Sequence, residues 1–265
     1  MPARDSVAAE DSLAPAPVAE TVSGQELIYG GRFEAAGLFF ARLTERHPRD
    51  PAGPALAASA LIWWAVAQQD DRFLSDSVEA LLDLAAARAA RAVAEARTDT
   101  VRVAALFWLG TATGYRARQA ELHGHYWRAA QSARQMRSAL GRALALDSAC
   151  VDCQLGLAVY DYALARAGVL ARLVAHLIGL GGGDANRALE RLRRVSREGT
   201  LTRLEGQWVY ANALLRESER GGAGGAGGGS GALREEGRRI VGDLAARFPD
   251  NPIFRRFLDQ AARTP

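Results

Sequence analysis

Lysine is absent from this 265-residue chain, and all 33 of its basic residues are arginine. A GC-rich gene is the ordinary cause, but the chemical consequence holds regardless. Without a lysine there is no Walker-type phosphate loop, no Schiff-base amine and no kinase-type phosphate-pairing lysine. Two cysteines, Cys150 and Cys153, are too few for a four-cysteine zinc site or a disulfide framework. No run of 18 apolar residues occurs; the longest near-apolar stretch, Ala167 to Leu180, is interrupted by Arg172 and His176. Aromatics make up only 7% and β-branched runs are few, while alanine is abundant, which favours helix over strand.

What is present is soluble in character: 49% hydrophobic and 24% charged residues, enough for a substantial core. Net charge is only +3, but it is unevenly spread. Between Val101 and Leu146, seven arginines (Arg102, Arg116, Arg118, Arg128, Arg134, Arg137, Arg142) face one acid, Glu121. The first 26 residues reverse this, with Asp5, Glu10, Asp11, Glu20 and Glu26 against Arg4. Such asymmetry attracts anionic partners, although solvated helix faces are its commoner cause. Residues 1–22, rich in Ala, Pro and acids, read as a disordered arm. No basic-then-apolar leader opens the chain, so a cytoplasmic location is expected; an Ala/Pro-rich segment also suits the spacer after a cleaved signal.

From residue 23 to 265 the chain reads as one continuous helical domain with short breaks. These fall at Gly30-Gly31, Pro48 to Pro54, Gln69 to Arg72, Thr98-Asp99, His123 to His125, Asp147-Ser148, Gly181 to Asp184, Gly199-Thr200, Gly221 to Gly231 and Pro249 to Pro252. Thr98 or Asp99, Ser148 and Asp184 are the expected caps. Gly221–Gly231, eleven residues without a side chain to bury, reads as an expanded loop inside the last hairpin, spanning about 18 Å as a coil.

One unit recurs. Gly31 ends a helix, Phe33 opens the next, Ala36, Phe40 and Leu43 follow at steps of four and three, and Pro48 closes it. Ala188, Leu192 and Val195 repeat the spacing after Gly183-Asp184, and Gly237, Val241, Leu244 and Pro249 repeat it near the end. Met136, Leu140 and Ala143 form a weaker copy, and a degenerate one is expected between Val78 and Ala96. The unit resembles the second helix of a tetratricopeptide repeat. Together with Pro48–Pro51, Trp63-Trp64, Ala158–Tyr162 and Gly181–Asp184, it looks like bacterial tetratricopeptide-type proteins over about residues 24 to 260. Those proteins share distant similarity with a eukaryotic outer-membrane-associated tetratricopeptide family. The resemblance implies an all-α solenoid of about five helical hairpins and a partner-binding role. The interval of about 50 residues departs from the 34 of a tetratricopeptide repeat.

Candidate chemistry is sparse. Cys150-Val151-Asp152-Cys153 at a helix start points to redox exchange or half a metal site, against the plainer reading of packed, semi-buried thiols. His123-Gly124-His125 lacks a third metal donor. Gly179–Asp184 superficially resembles a phosphate cradle but follows a helix, where glycines serve a chain reversal. Asp161, between Tyr160 and Tyr162, suits a hydrogen bond to a neighbouring hairpin. No catalytic motif, cofactor site or metal site is expected. Adjacent Trp63 and Trp64 point about 100° apart on a helix, so both cannot face one core. Trp64, Tyr115, Arg116, Arg118 and Arg128 are the residues expected to hold a protein or peptide partner. Nucleic acid or an acidic membrane surface on the arginines of residues 101–146 is the lesser alternative.

Overall fold

The structure, a computed structural model, describes residues 15–168, 180–223 and 228–263. Among these residues there are eleven α-helices and no strand: α1 Val18–Tyr29, α2 Phe33–Arg46, α3 Ala52–Gln68, α4 Ser75–Glu95, α5 Asp99–Leu122, α6 Tyr126–Leu146, α7 Gln154–Arg166, α8 Ala185–Glu198, α9 Arg203–Ala223, α10 Gly228–Arg247 and α11 Pro252–Arg263. Helices consecutive in the chain pack against one another as hairpins, the arrangement of an all-α solenoid. No helix among the described residues is long and apolar enough to cross a membrane.

The contacts divide the expected single domain into two compact units. The first comprises the residues up to Ile28 and Arg32–Gly156; the second comprises Leu157 onward with the turn Tyr29–Gly31. In the first, α2 to α6 pack in sequence, and α3 also touches α5. In the second, α8 to α11 pack in sequence. Asn251, fully buried there, donates to the Tyr29 carbonyl (2.8 Å) and accepts from the Ile253 N–H (2.9 Å) to start α11.

The recurring triplet occupies one structural place. Ala36, Phe40 and Leu43 on α2, Met136, Leu140 and Ala143 on α6, Ala188, Leu192 and Val195 on α8, and Gly237, Val241 and Leu244 on α10 are all buried. The expected degenerate copy is Val78, Leu82 and Ala85 on α4, equally buried. Five helices, every second one in the chain, thus carry the same spacing of inward side chains. Helix α3 differs. It is apolar nearly all round, and twelve of its residues are buried, so it is an interior helix and not an amphipathic one.

Local chemistry places most of the ends. Thr98 accepts from the Val101 N–H, and Asp184 from those of Asn186 and Arg187, as N-caps. Pro54 falls within the first turn of α3, where its missing N–H costs nothing, so that helix opens inside the expected break. Three expectations are corrected. Helix α1 begins at Val18 within the supposed arm, because the Pro17 carbonyl takes the Thr21 N–H and Glu20 pairs with Arg46; residues 1–14 lie outside the described ones. Ser148 caps nothing, since α7 starts only at Gln154 and Asp147 takes the Ala149 N–H in an intervening turn (2.9 Å). The glycine-rich segment is not an eleven-residue coil: α9 runs to Ala223 and α10 starts at Gly228, leaving 224–227 outside the described residues.

Small residues set how near the helices come. A Cβ on Gly110 of α5 would lie 2.4 Å from Leu140 Cδ2 and 2.5 Å from its Cγ on α6, whereas one on Gly141 meets nothing within 4 Å. Gly110→Ala is therefore expected to destabilise the protein by about 1–3 kcal/mol through overpacking. Gly141→Ala should instead stabilise it by about 0.5–1 kcal/mol through helix propensity. Denaturant unfolding of both variants checks the opposite signs.

Candidate binding surfaces

The five residues expected to hold a partner all lie in the first unit. Tyr115 on α5 is half-buried against the cluster of Ala58, Ile62, Val78 and Leu82, with its hydroxyl 3.4 Å from Ser59 Oγ. It is more a core side chain than a contact one. Trp63 is buried, while its neighbour Trp64 is half-buried and meets Phe73 edge-on at 5.2 Å, as the helical angle between them requires. Arg116 reaches Asp83 at 3.4 Å, and Arg128 reaches Glu79 at 3.7 Å. Both acids lie on α4 one turn apart, so part of the positive excess of residues 101–146 is matched by a preceding helix. Arg118 is exposed. Of these three arginines, two are in ion pairs and one is exposed.

The most exposed aromatics were not among those five. Tyr126 and Trp127, at the start of α6, are 74% and 71% exposed. Aromatic identity alone does not say which way a helix presents a ring. Beside them, His123 and His125 occupy the expected turn with rings 6.4 Å apart, and His123 Nε2 lies 3.4 Å from the Asp71 carbonyl oxygen. Among the described residues, no group of three His, Cys, Asp or Glu side chains is placed to hold a metal ion. Cys150 and Cys153 are joined as a disulfide, correcting the reading of packed thiols.

In the second unit, Tyr160, Asp161 and Tyr162 send three consecutive side chains of α7 to three different places. Tyr160 donates to the Leu180 carbonyl ahead of α8. Asp161 is buried and accepts from Arg191 of α8 at 2.8 Å, with Arg187 4.0 Å away. The Tyr162 hydroxyl donates to Glu217 of α9 at 2.9 Å, and Arg166 Nε donates to the same carboxylate at 2.8 Å. A Cβ on Gly183 would sit 2.8 Å from the Ala165 N, and its φ is +99°, so glycine is needed for close approach to α7 and for the reversal itself. The supposed phosphate cradle is this reversal; Gly179 and His176 lie outside the described residues.

The same unit holds a groove of about 320 Å³ between α8, α9 and α10. Gln207 and Tyr210 of α9, with Ile240 and Leu244 of α10, line its interior, and Arg197, Arg239 and Arg247 border it with Glu236 and Asp243. Gln207 Nε2 is fixed on the Ser196 carbonyl (3.3 Å), and Arg239 on Asp243 one turn along α10 (3.1 Å). Tyr210 lies 3.4 Å from Glu236. Burial, followed by the charge of Glu236, holds its phenol above the usual tyrosine range, so it is neutral at physiological pH. The guanidinium of Arg247 stacks over Phe248 at 5.0 Å. The groove thus has a floor of Tyr210, Ile240 and Leu244 and a mixed border of three arginines and two carboxylates, Asp243 already holding Arg239. Its residues come from three helices, and no local motif marks them.

No family model, curated protein or solved structure matches the chain.

Burial first, and the Glu217 hydrogen bond second, push the Tyr162 phenol up to about 12. A raised pKa protects stability below the unfolded value near 10 and loses it as pH climbs towards the folded value. Unfolding free energy should therefore fall between pH 10 and 12 more steeply in the native protein than in Tyr162→Phe, as read by denaturant titration at each pH.

Proposed function

We propose that the chain is a non-catalytic scaffold of tetratricopeptide-like hairpins that binds a segment of a partner protein. The observation that carries this reading is the groove of the second unit, with Arg197, Arg239 and Arg247 around a floor of Tyr210, Ile240 and Leu244. Arginines with aromatic and aliphatic neighbours dominate binding energy at protein surfaces. Guanidinium groups also recognise carboxylates in planar, charge-assisted pairs. Trp64 and Arg118 of the first unit, with the paired Arg116 and Arg128, would offer a separate contact surface. A cytoplasmic location belongs to the same reading.

One observation favours a second reading. Helix α6 carries Arg134, Arg137 and Arg142 besides the Arg128 that reaches Glu79, and no carboxylate of its own, with Tyr126 and Trp127 exposed at its start. Such a stripe suits an anionic polymer or membrane surface, whose binding falls steeply with salt.

Affinity capture from the native host, with mass spectrometry, separates the two. The expected result is a protein held at physiological salt, lost from an Arg197→Ala/Arg247→Ala variant and about tenfold weaker when one guanidinium–carboxylate bond is removed. Retention of the same proteins by the double variant would overturn the groove. Recovery of nucleic acid or lipid alone, released by salt, would favour the second reading.

A further inference from the structure

We propose that Cys150–Cys153 is an exchangeable disulfide, a site at which this protein trades two electrons with a small thiol or a dithiol protein. This is independent of the scaffold reading. The bridge closes the shortest of loops, Cys150-Val151-Asp152-Cys153, directly before α7. Loop closure restrains the unfolded chain more as the loop lengthens, so this bridge contributes least of its kind to folding. The turn also has its own supports. Cys150 N–H donates to the Asp147 carbonyl (3.2 Å), and Gln154 N–H to the Val151 carbonyl (2.9 Å). The start of α7 lies close against α6, where a Cβ on Gly156 would meet Leu140 Cδ1 at 2.7 Å. The surrounding helices therefore hold the segment with or without the bridge.

The two sulfurs are not equivalent. Cys150 is half-buried and Cys153 fully buried, so an incoming thiolate has access to Cys150. Cys153 sits beside the N-terminal end of α7, a 13-residue helix without an acid in its first turn, whose amide end favours a departing thiolate against the carboxylate of the preceding Asp152. An external thiolate attacks Cys150 Sγ, forming a mixed disulfide as the Cys150–Cys153 bond breaks. Cys153 leaves as thiolate and takes a proton. A second external thiolate attacks the partner's sulfur of the mixed disulfide, releasing the oxidised reductant and Cys150 thiolate, which is protonated in turn. Two thiols have become a disulfide, and the protein has gained two electrons and two protons. The reverse sequence oxidises the pair.

The test uses the intact folded protein equilibrated in graded mixtures of reduced and oxidised glutathione, then acid-quenched, alkylated and weighed by mass spectrometry. Both thiols should appear together across the series, and far-ultraviolet circular dichroism should be unchanged between the two end states. Cys153→Ser should accumulate one glutathione on Cys150, while Cys150→Ser should accumulate several-fold less on Cys153. A bridge that stays closed in millimolar dithiothreitol without denaturant would overturn the proposal, making it a static link. Loss of helical structure on reduction of the native chain, or glutathione on Cys153 in preference to Cys150, would overturn it too. Because the native chain supplies the first two readouts, a variant that fails to fold does not rescue or sink the idea.

Discussion

Close approach of helices through small side chains is the constraint on which this architecture rests. Ala36, Ala58, Ala85, Ala112, Ala143, Ala158, Ala188 and Ala211 are fully buried, and Gly110, Gly156 and Gly237 stand where a single added carbon would run into a leucine on a neighbouring helix. Larger residues fill what the alanines leave open: Phe40 and Leu43, Leu82, Leu192, Val241 and Leu244 on the recurring turns, and Ile28, Leu106, Leu214 and Phe254 on other helices. Interiors packed at crystal-like density tolerate few changes of even one methylene. An alanine-rich chain with few aromatics is thus not a weakly specified one. Its helices are located by the pattern of where side chains are missing as much as by where they are large.

Arginine as the sole long-chain cation shapes the polar interior as well. Asp161 and Glu217 each meet guanidinium groups, and Glu217 receives the Tyr162 hydroxyl in addition. Carboxylates removed from water are tolerated when several donors converge on them, and the planar guanidinium supplies donors in a fixed fork. Placing both acceptors and donors on adjacent residues of α7 ties that helix to α8 and α9 at once. Polar groups here specify which helices meet, while the alanine seams specify how near.

Much of the helical layout was legible because its punctuation is local. Gly31, Thr98, Asp184 and the prolines around Pro48 and Pro249 act within a turn of themselves, and the four-then-three spacing marks the inward face of α2, α6, α8 and α10; its faintest copy was placed only to within Val78–Ala96, and packing picks out Val78, Leu82 and Ala85. What could not be read depends on residues distant in the chain. Glu79 and Asp83 of α4 meet Arg128 and Arg116 of later helices, so counting charge along the sequence overstated the cationic face. The groove draws on α8, α9 and α10 together. Tyr115 and Tyr126 look alike in sequence, and only packing sends one inward and leaves the other in solvent. The extent of α9 and α10 was missed for a different reason: glycine's own preference is against helix, yet α9 runs to Ala223 and α10 starts at Gly228.

Gly221 and Gly222 end α9, and Gly228, Gly229 and Gly231 begin α10, each giving up about 1 kcal/mol of helix propensity relative to alanine. Further along, Gly237 sits under Leu215 and Val241 is fully buried, so the hairpin is anchored away from its tip. Amide protons near the tip should therefore exchange through local fraying, and those deeper in the pair only through larger openings.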